Sequence, residues 1–289
     1  MSLPLIGALK RRLGLVPPGR NVAVWPDDTF LVSYPKSGNT WSRFLVANLL
    51  HPERAAEFAS INDVIPGIDV VSKTALGRMP RPRILKSHQY FDPRYPRVIY
   101  IVRDPRDVAV SQFHFHRKRR VVGDDCSMDT FVAGFVEPGA ASSYSSWGEH
   151  VGSWLAARCG QPRFLLLRYE DMIANTSREL AKIAGFLELS ATPELLAQAV
   201  ERSSADRMRK LEKAQAQTFA STRNTRQDIA FVRTAGSGGW RSELPVASVI
   251  EIEKAWGGLM SWLGYPPVHY KTAMADADLF HSLLRERVS

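Results

Sequence analysis

The chain lacks several devices by which a function is read at sight. Its 289 residues include two cysteines, Cys126 and Cys159. Two is too few for a disulfide scaffold or a cysteine-based zinc site, and it fits a reducing, cytoplasmic setting. No apolar run reaches the roughly 18 residues needed to span a bilayer. In the opening stretch, MSLPLIGALKRRLGLV, the apolar residues precede the basic ones and no small-residue cleavage site follows. It does not read as a secretory signal. It reads as a terminal helix or as a short basic amphipathic segment able to rest on a membrane surface. Repeats and low-complexity linkers are absent. Acidic residues are in deficit, 29 against 38 Lys and Arg, for a formal charge of +9. That surplus favours an anionic partner, such as a nucleotide, nucleic acid, acidic lipid or sulfated product. With 45% hydrophobic residues the chain can bury a large core.

Short apolar strands alternate with helical patterns. Residues 29–35, TFLVSYP, form a β-rich run, and residues 40–50 then carry apolar side chains at helical spacing. Residues 83–86, 97–102 and 164–167 read as further short strands, the 97–102 run apolar on both faces as in a buried parallel strand. Helices are expected from Arg106 toward His116, from Thr176 to Leu187, from Glu194 to Arg202 and from Val246 to Leu263. In the last of these, Ile250, Ala255, Leu259 and Trp262 are the expected core positions. The stretch 203–228 is polar, shows no clear core face and is read as partly mobile. The alternation predicts an α/β fold with a mainly parallel central sheet and helices on both faces. Residues 1–28 are expected as an N-terminal extension and 29–289 as the domain. In such sheets ligands bind at the carboxyl ends of the strands, and each chemically unusual loop here follows a strand.

The densest signal is SYPKSGNTW, residues 33–41. A strand-to-helix loop offers unpaired backbone N–H groups backed by the helix dipole. Gly38 permits close approach of an anion, Ser37, Asn39 and Thr40 add side-chain donors, and Lys36 adds a mobile charge. Trp41 offers a flat face for an adenine. The pattern is not the nucleoside-triphosphatase G-x-x-x-x-G-K-[ST]. Lys36 precedes the only glycine, and no acidic strand end for magnesium is apparent. A second candidate anion ligand is Arg103, leaving the end of the 97–102 strand, with Ser111 two turns into the following helix. Arg106 and Asp107 read as first-turn helix residues. A glycine-rich segment, FVRTAGSGGW at residues 231–240, could close over phosphate through backbone N–H groups. His88, in ILKSHQYF, follows a strand at the ligand edge, and its imidazole suits proton abstraction near neutrality. His114, His116 and His150 receive a structural reading.

These segments, in this order, resemble the cytosolic-type sulfotransferases. Their phosphosulfate loop typically reads YPKSGTTW, with Asn39 here in place of a threonine. The resemblance implies a P-loop-like sulfotransferase fold. It also implies transfer of a sulfuryl group from 3′-phosphoadenylyl sulfate (PAPS) to an acceptor hydroxyl or amine, without a metal. It places Lys36, Ser37, Gly38, Asn39, Thr40 and Trp41 on the phosphosulfate and adenine of the donor. Arg103 and Ser111 go to its 3′-phosphate, and Tyr169 of LLLRYEDM and Ser203 to its adenosine. Arg233, Thr234 and Ala235 belong to the closing loop, with Gly236 beside them. Thr234 and Ala235 stand where the family carries Lys and Gly, and Ala205 stands where an aromatic is usual. His88 is implied as the catalytic base, with Lys36 and Lys86 as electrostatic partners. Residues 61–81 and 117–146 are expected to shape the acceptor pocket, and the expected acceptor is a small molecule, lipid or glycan. The basic run 117–120 is a solvated end or an attractor for an anionic acceptor or membrane. A monomer or homodimer with no nucleic-acid partner is expected. Two other classes make different predictions: a phosphotransferase would require magnesium, and a nucleic-acid module would spread its basic and aromatic residues over one face.

Overall fold

The computed structural model describes residues 13, 15–137 and 144–270. The N-terminal amphipathic segment falls almost wholly outside these residues. At the centre lie four parallel strands, β1 (Thr29–Ser33), β2 (Ile84–Ser87), β3 (Arg97–Val102) and β4 (Phe164–Arg168), in the order β2-β1-β3-β4. Each expected strand is present, within two residues of its expected ends.

Period-two alternation sorts the strand side chains into two buried layers. Phe30, Val32, Val98, Tyr100 and Val102 face one layer with Trp147, Trp154 and Ile252. Leu31, Ile99 and Ile101 face the other with Phe44, Leu180 and Ile183. Helices therefore cover both faces, as expected for a sheet whose central strands are apolar throughout. Among the described residues no helix is long and apolar enough to cross a membrane.

The N-terminal residues that are described belong to the same body. Val22 is buried in the first layer, and buried Asp28 pairs with Arg83 at 2.6 Å.

Two expectations need correction. The stretch 203–228 contains a helix, Ala205–Gln215, and Met208, Glu212, Phe219 and Thr222 are buried. Its inward stripe is one residue wide per turn and includes a glutamate, so its hydrophobic period is faint. In the Val246–Trp262 helix only Leu259 of the four expected core positions is buried, while Val249, Ile252 and Met260 are. Trp256 has non-helical angles (φ −139°, ψ 15°), so one unbroken 3.6-residue period does not run through this helix.

Candidate active site

Parallel pairing brings Ser33, Ser87, Val102 and Arg168 to one edge of the sheet. The residues that follow them, Lys36, His88, Arg103 and Tyr169, are thereby gathered on that edge.

The first loop is a tight turn closed by the Ser37 N–H on the Tyr34 carbonyl at 3.3 Å. Lys36 (φ +68°) and Gly38 (φ +94°) are both left-handed. Gly38 is obligatory on two counts. Its φ strains any other residue, and a Cβ there would lie 2.4 Å from the Tyr169 ring. Gly38 begins the Asn39–Leu50 helix, so the N–H groups of Gly38, Asn39, Thr40 and Trp41 have no intrahelical acceptor. The Ser37 hydroxyl is buried without a hydrogen-bond partner among the described residues. An unmet buried donor costs about 1–3 kcal/mol, and an anion's oxygens would relieve it.

Asn39 serves differently from its expected side-chain role. Its Nδ2 donates to the Leu31 carbonyl at 3.3 Å and to Ser33 Oγ at 3.2 Å, pinning the helix start to β1. What it leaves for a ligand is its main-chain N–H. Trp41 is fixed by its Nε1 donating to the Ser203 carbonyl at 3.0 Å, with its ring edge-on to Tyr169 at 5.8 Å. Ser203 itself is fully buried, its hydroxyl donating to Ala199 and accepting from Asn48. The role this geometry gives it is orienting Trp41, not touching adenosine through its hydroxyl.

Arg103 joins the Lys36 turn to the glycine-rich segment. Its Nη1 donates to the Lys36 carbonyl at 3.2 Å and its Nη2 to the Gly236 carbonyl at 3.0 Å. Its guanidinium lies 4.4 Å over the Tyr169 ring. Ser111 is half-buried two turns along the Pro105–Lys118 helix, and Thr40 is also half-buried in the first turn of its own helix.

The glycine-rich segment is held by residues the sequence reading did not assign to the site. Glu212 accepts from the Phe231 and Val232 N–H groups at 2.6 and 2.9 Å. Asp107 accepts from Gly238 at 2.6 Å and from Trp240 at 3.0 Å. Arg209 donates to the Arg233 carbonyl at 2.8 Å and to that of Thr234 at 3.3 Å. Ala235 is left-handed, φ +52°, a conformation that glycine adopts without strain. Arg233 forms a two-oxygen contact with Glu243 at 2.9 and 3.0 Å, and His114 reaches the same carboxylate at 2.6 Å. Met208 and Glu212 are four residues apart on one helix face, a spacing that could have revealed the second carboxylate.

Lys36 extends over Phe115 and Phe231, its Nζ 4.2 and 4.5 Å from the ring centroids. Burial, reinforced by Arg103 and Arg233, brings its pKa down to about 7. The imidazole of His88 has Nδ1 2.8 Å from the Ser33 carbonyl. A carbonyl only accepts, so Nδ1 carries the proton and Nε2 keeps a free lone pair. Burial, and then the charge of Lys86, holds His88 well below 6.5. Lys86 pairs with Asp69 at 3.7 Å. Burial lowers its pKa to about 8 against the pull of that carboxylate. The 66–69 segment is laid beside β2 by the Lys86 N–H on the Pro66 carbonyl and the Ile68 N–H on the Lys86 carbonyl.

The basic run 117–120 is less available than its sequence suggests. Lys118 is buried, donating to the Arg226 and Ile229 carbonyls, and Arg117 pairs with Asp124. Only Arg119 and Arg120 are exposed.

A family model described as the sulfotransferase domain matches residues 26–264. The chain belongs to the sulfotransferase family. Sulfotransferase 1A1 of Bos taurus is 32% identical over 268 residues, 85% of this chain and 86% of that protein. The 3-beta-hydroxysteroid sulfotransferase of Cavia porcellus is 30% identical, with 83% and 85% covered. Among solved structures, a retinol dehydratase in complex with retinol and PAP superposes with a TM-score of 0.70 at 22% identity, covering 88% of this chain and 86% of that one. A mouse sulfotransferase complexed with PAP gives 0.67 at 24%, covering 86% and 89%. The expected fold and enzyme class both stand: this is a PAPS-dependent sulfotransferase with a parallel α/β sheet.

Proposed function

We propose that this sulfotransferase acts by direct in-line displacement, with His88 as base and Lys36 as the charge that meets the leaving nucleotide. The supporting observation is the Arg103 guanidinium, which ties the Lys36 loop to the Gly236 loop. Two anion-binding segments thus lie one side chain apart, as a doubly phosphorylated adenosine requires. The cradle of N–H groups from Gly38 to Trp41 and the unpartnered Ser37 hydroxyl suit the 5′ end. Arg103, Ser111 and the 233–236 segment suit the 3′-phosphate, and Trp41 and Tyr169 suit the adenine.

Bound PAPS supplies an activated sulfuryl group, so that a new acceptor–sulfur bond forms as the bond from sulfur to the bridging phosphate oxygen breaks. The acceptor proton goes to His88 Nε2, whose lone pair is free because Nδ1–H is held by Ser33. Lowered by burial, His88 is neutral at pH 7 and ready to accept. Lys36, once beside phosphate, regains its proton and lies where negative charge develops on the leaving oxygen. Donors so placed usually supply the largest share of rate enhancement. Lys86, held by Asp69, adds positive potential next to His88.

The acceptor is proposed as a small molecule, lipid or glycan bearing a hydroxyl or amine. A relative named for a 3-beta-hydroxysteroid supports a small hydroxylated compound. Pairing within the 117–120 run argues against an extended basic surface for nucleic acid. A cytoplasmic monomer or homodimer completes the proposal.

Calorimetry should show adenosine 3′,5′-bisphosphate (PAP) binding without magnesium, and no comparable binding of ATP or an oligonucleotide. With labelled donor and an acceptor library, His88→Ala should lose about 10²-fold or more in turnover while PAP affinity stays near wild type. A His88→Ala enzyme turning over normally would remove this residue from the mechanism.

A further inference from the structure

We infer that the Trp147–Arg158 helix positions both halves of the reaction, through three ring N–H donors on one of its faces that grip the backbone immediately after the catalytic strands. The inference rests on the proposed role of His88 as base.

Trp147, His150 and Trp154 recur at i, i+3 and i+7, one stripe of a helix, and all three are fully buried. Each donates to a main-chain carbonyl of the active-site loops. Trp147 Nε1 reaches the Arg103 carbonyl at 3.2 Å. His150 Nε2 reaches the His88 carbonyl at 2.9 Å, and Trp154 Nε1 reaches that of Gln89 at 3.0 Å. Arg103 is the proposed 3′-phosphate ligand and His88 the proposed base, so one rigid rod touches the donor side and the acceptor side together. The rod is pinned at its start. Ser146 Oγ accepts from the Glu149 N–H, and the Glu149 carboxylate accepts from the Ser146 N–H, a reciprocal cap.

His150 is the centre of the arrangement. Its Nδ1 lies 2.8 Å from the Tyr100 hydroxyl, on the buried strand β3. Since Nε2 must donate to a carbonyl, Nδ1 must accept from that hydroxyl. Burial supports this neutral form, lowering the pKa of His150 to about 4. The Tyr100 hydroxyl thus fixes the tautomer of His150, and His150 fixes the peptide of His88. The His88 residue is thereby held twice, at its ring by Ser33 and at its carbonyl by His150. Plain core packing explains buried indoles. It does not require three consecutive inward rings each to spend its N–H on a loop carbonyl of the site. A shift of about 1 Å in a positioned catalytic group can cost on the order of 10²-fold in rate.

The two ends of the stripe should fail differently. His150→Leu should lower kcat about tenfold or more, with PAP affinity within about twofold of wild type. His150→Gln, which restores an N–H donor near the same point, should recover kcat to within about threefold. Trp147→Phe keeps an aromatic ring, smaller than the indole, and loses one donor. It should weaken PAP binding about fivefold, the size of one net hydrogen bond, and leave kcat at saturating donor close to normal. Tyr100→Phe, the mildest change, should lower kcat without altering PAP affinity, which preserves the test should His150→Leu fail to fold. If His150→Leu and Tyr100→Phe keep wild-type kcat, or if all variants lose turnover and PAP affinity in equal measure, the helix is only a packing element and the inference is wrong. His88→Ala separates the two failures. Normal turnover there defeats the proposed base, whereas a dead His88→Ala beside a normal His150→Leu and Tyr100→Phe defeats this inference alone.

Discussion

At the scale of single residues the site is shaped by backbone conformation as much as by charge. Gly38 and Ala235 both lie in the left-handed region, yet only one is a glycine. At Gly38 the alternative is barred twice, by φ and by the Tyr169 ring 2.4 Å from where a Cβ would be. At Ala235 the chain tolerates a conformation that costs an L-residue roughly 1–2 kcal/mol. A glycine there would relieve that strain and give back part of it through the greater freedom of the unfolded chain. Ala235→Gly should therefore stabilise the protein by about 0.5–1 kcal/mol, read as a higher urea midpoint at unchanged slope. An unchanged or lower midpoint would mean that the surrounding hydrogen bonds, not residue 235, set the loop's conformation.

At the scale of elements, the glycine-rich segment is an irregular stretch made definite by its neighbours. Glu212 grips its start and Asp107 its end, each accepting two main-chain N–H groups. Asp107→Asn keeps the shape but turns one acceptor into a donor that faces an N–H. Leaving a buried donor unmet costs about 1–3 kcal/mol, so PAP affinity should fall about tenfold or more in calorimetry while the cooperative unfolding of the core is little changed. Undiminished affinity would show that the loop assembles around the ligand unaided. This element also marks what the sequence could and could not convey. The strands were legible because Val98 to Val102 and Phe30 to Val32 are unbroken apolar runs that only a doubly covered sheet can bury. The 33–41 loop was legible because its donors are contiguous. Asp107, Glu212 and Asp69 were not read, since their partners lie remote in sequence: main-chain N–H groups for the first two, and the Lys86 and Gln89 side chains for Asp69. Asn39 was read as a ligand contact because its type suits one, and Ser203 because its segment resembles one that touches adenosine, whereas their side-chain hydrogen bonds face inward. The Val246–Trp262 helix misled for another reason: the non-helical turn at Trp256 breaks the phase on which the core positions were chosen.

Across the whole molecule the +9 formal charge is not evenly spread in its consequences. Lys36 is half-buried and shares its surroundings with Arg103, Arg233 and Lys118, with Glu212 opposing them. The protein has concentrated positive potential to the point where one ammonium gives up its proton near pH 7. At pH 8 a group of pKa about 7 is about nine-tenths neutral, by the ordinary titration relation. Phosphate beside Lys36 reverses the balance, because an opposite charge within a few ångströms favours the charged form. PAP binding at pH 8 should therefore take up close to one proton from solution at Lys36, and at pH 6, where the ammonium is already charged, none there. The phosphates contribute little at pH 8, well above their second pKa of about 6. Lys86, at about 8, can add to the total, so the assignment rests on a difference. Lys36→Arg carries a charge that does not titrate and should remove most of the uptake. Calorimetry in two buffers of unlike ionisation enthalpy measures the proton directly. The sign of the linkage also requires PAP affinity to decline as pH rises through 7, by up to about tenfold per pH unit, more gently at high salt. Equal proton uptake by wild type and Lys36→Arg would place the titrating group elsewhere and leave Lys36 charged throughout.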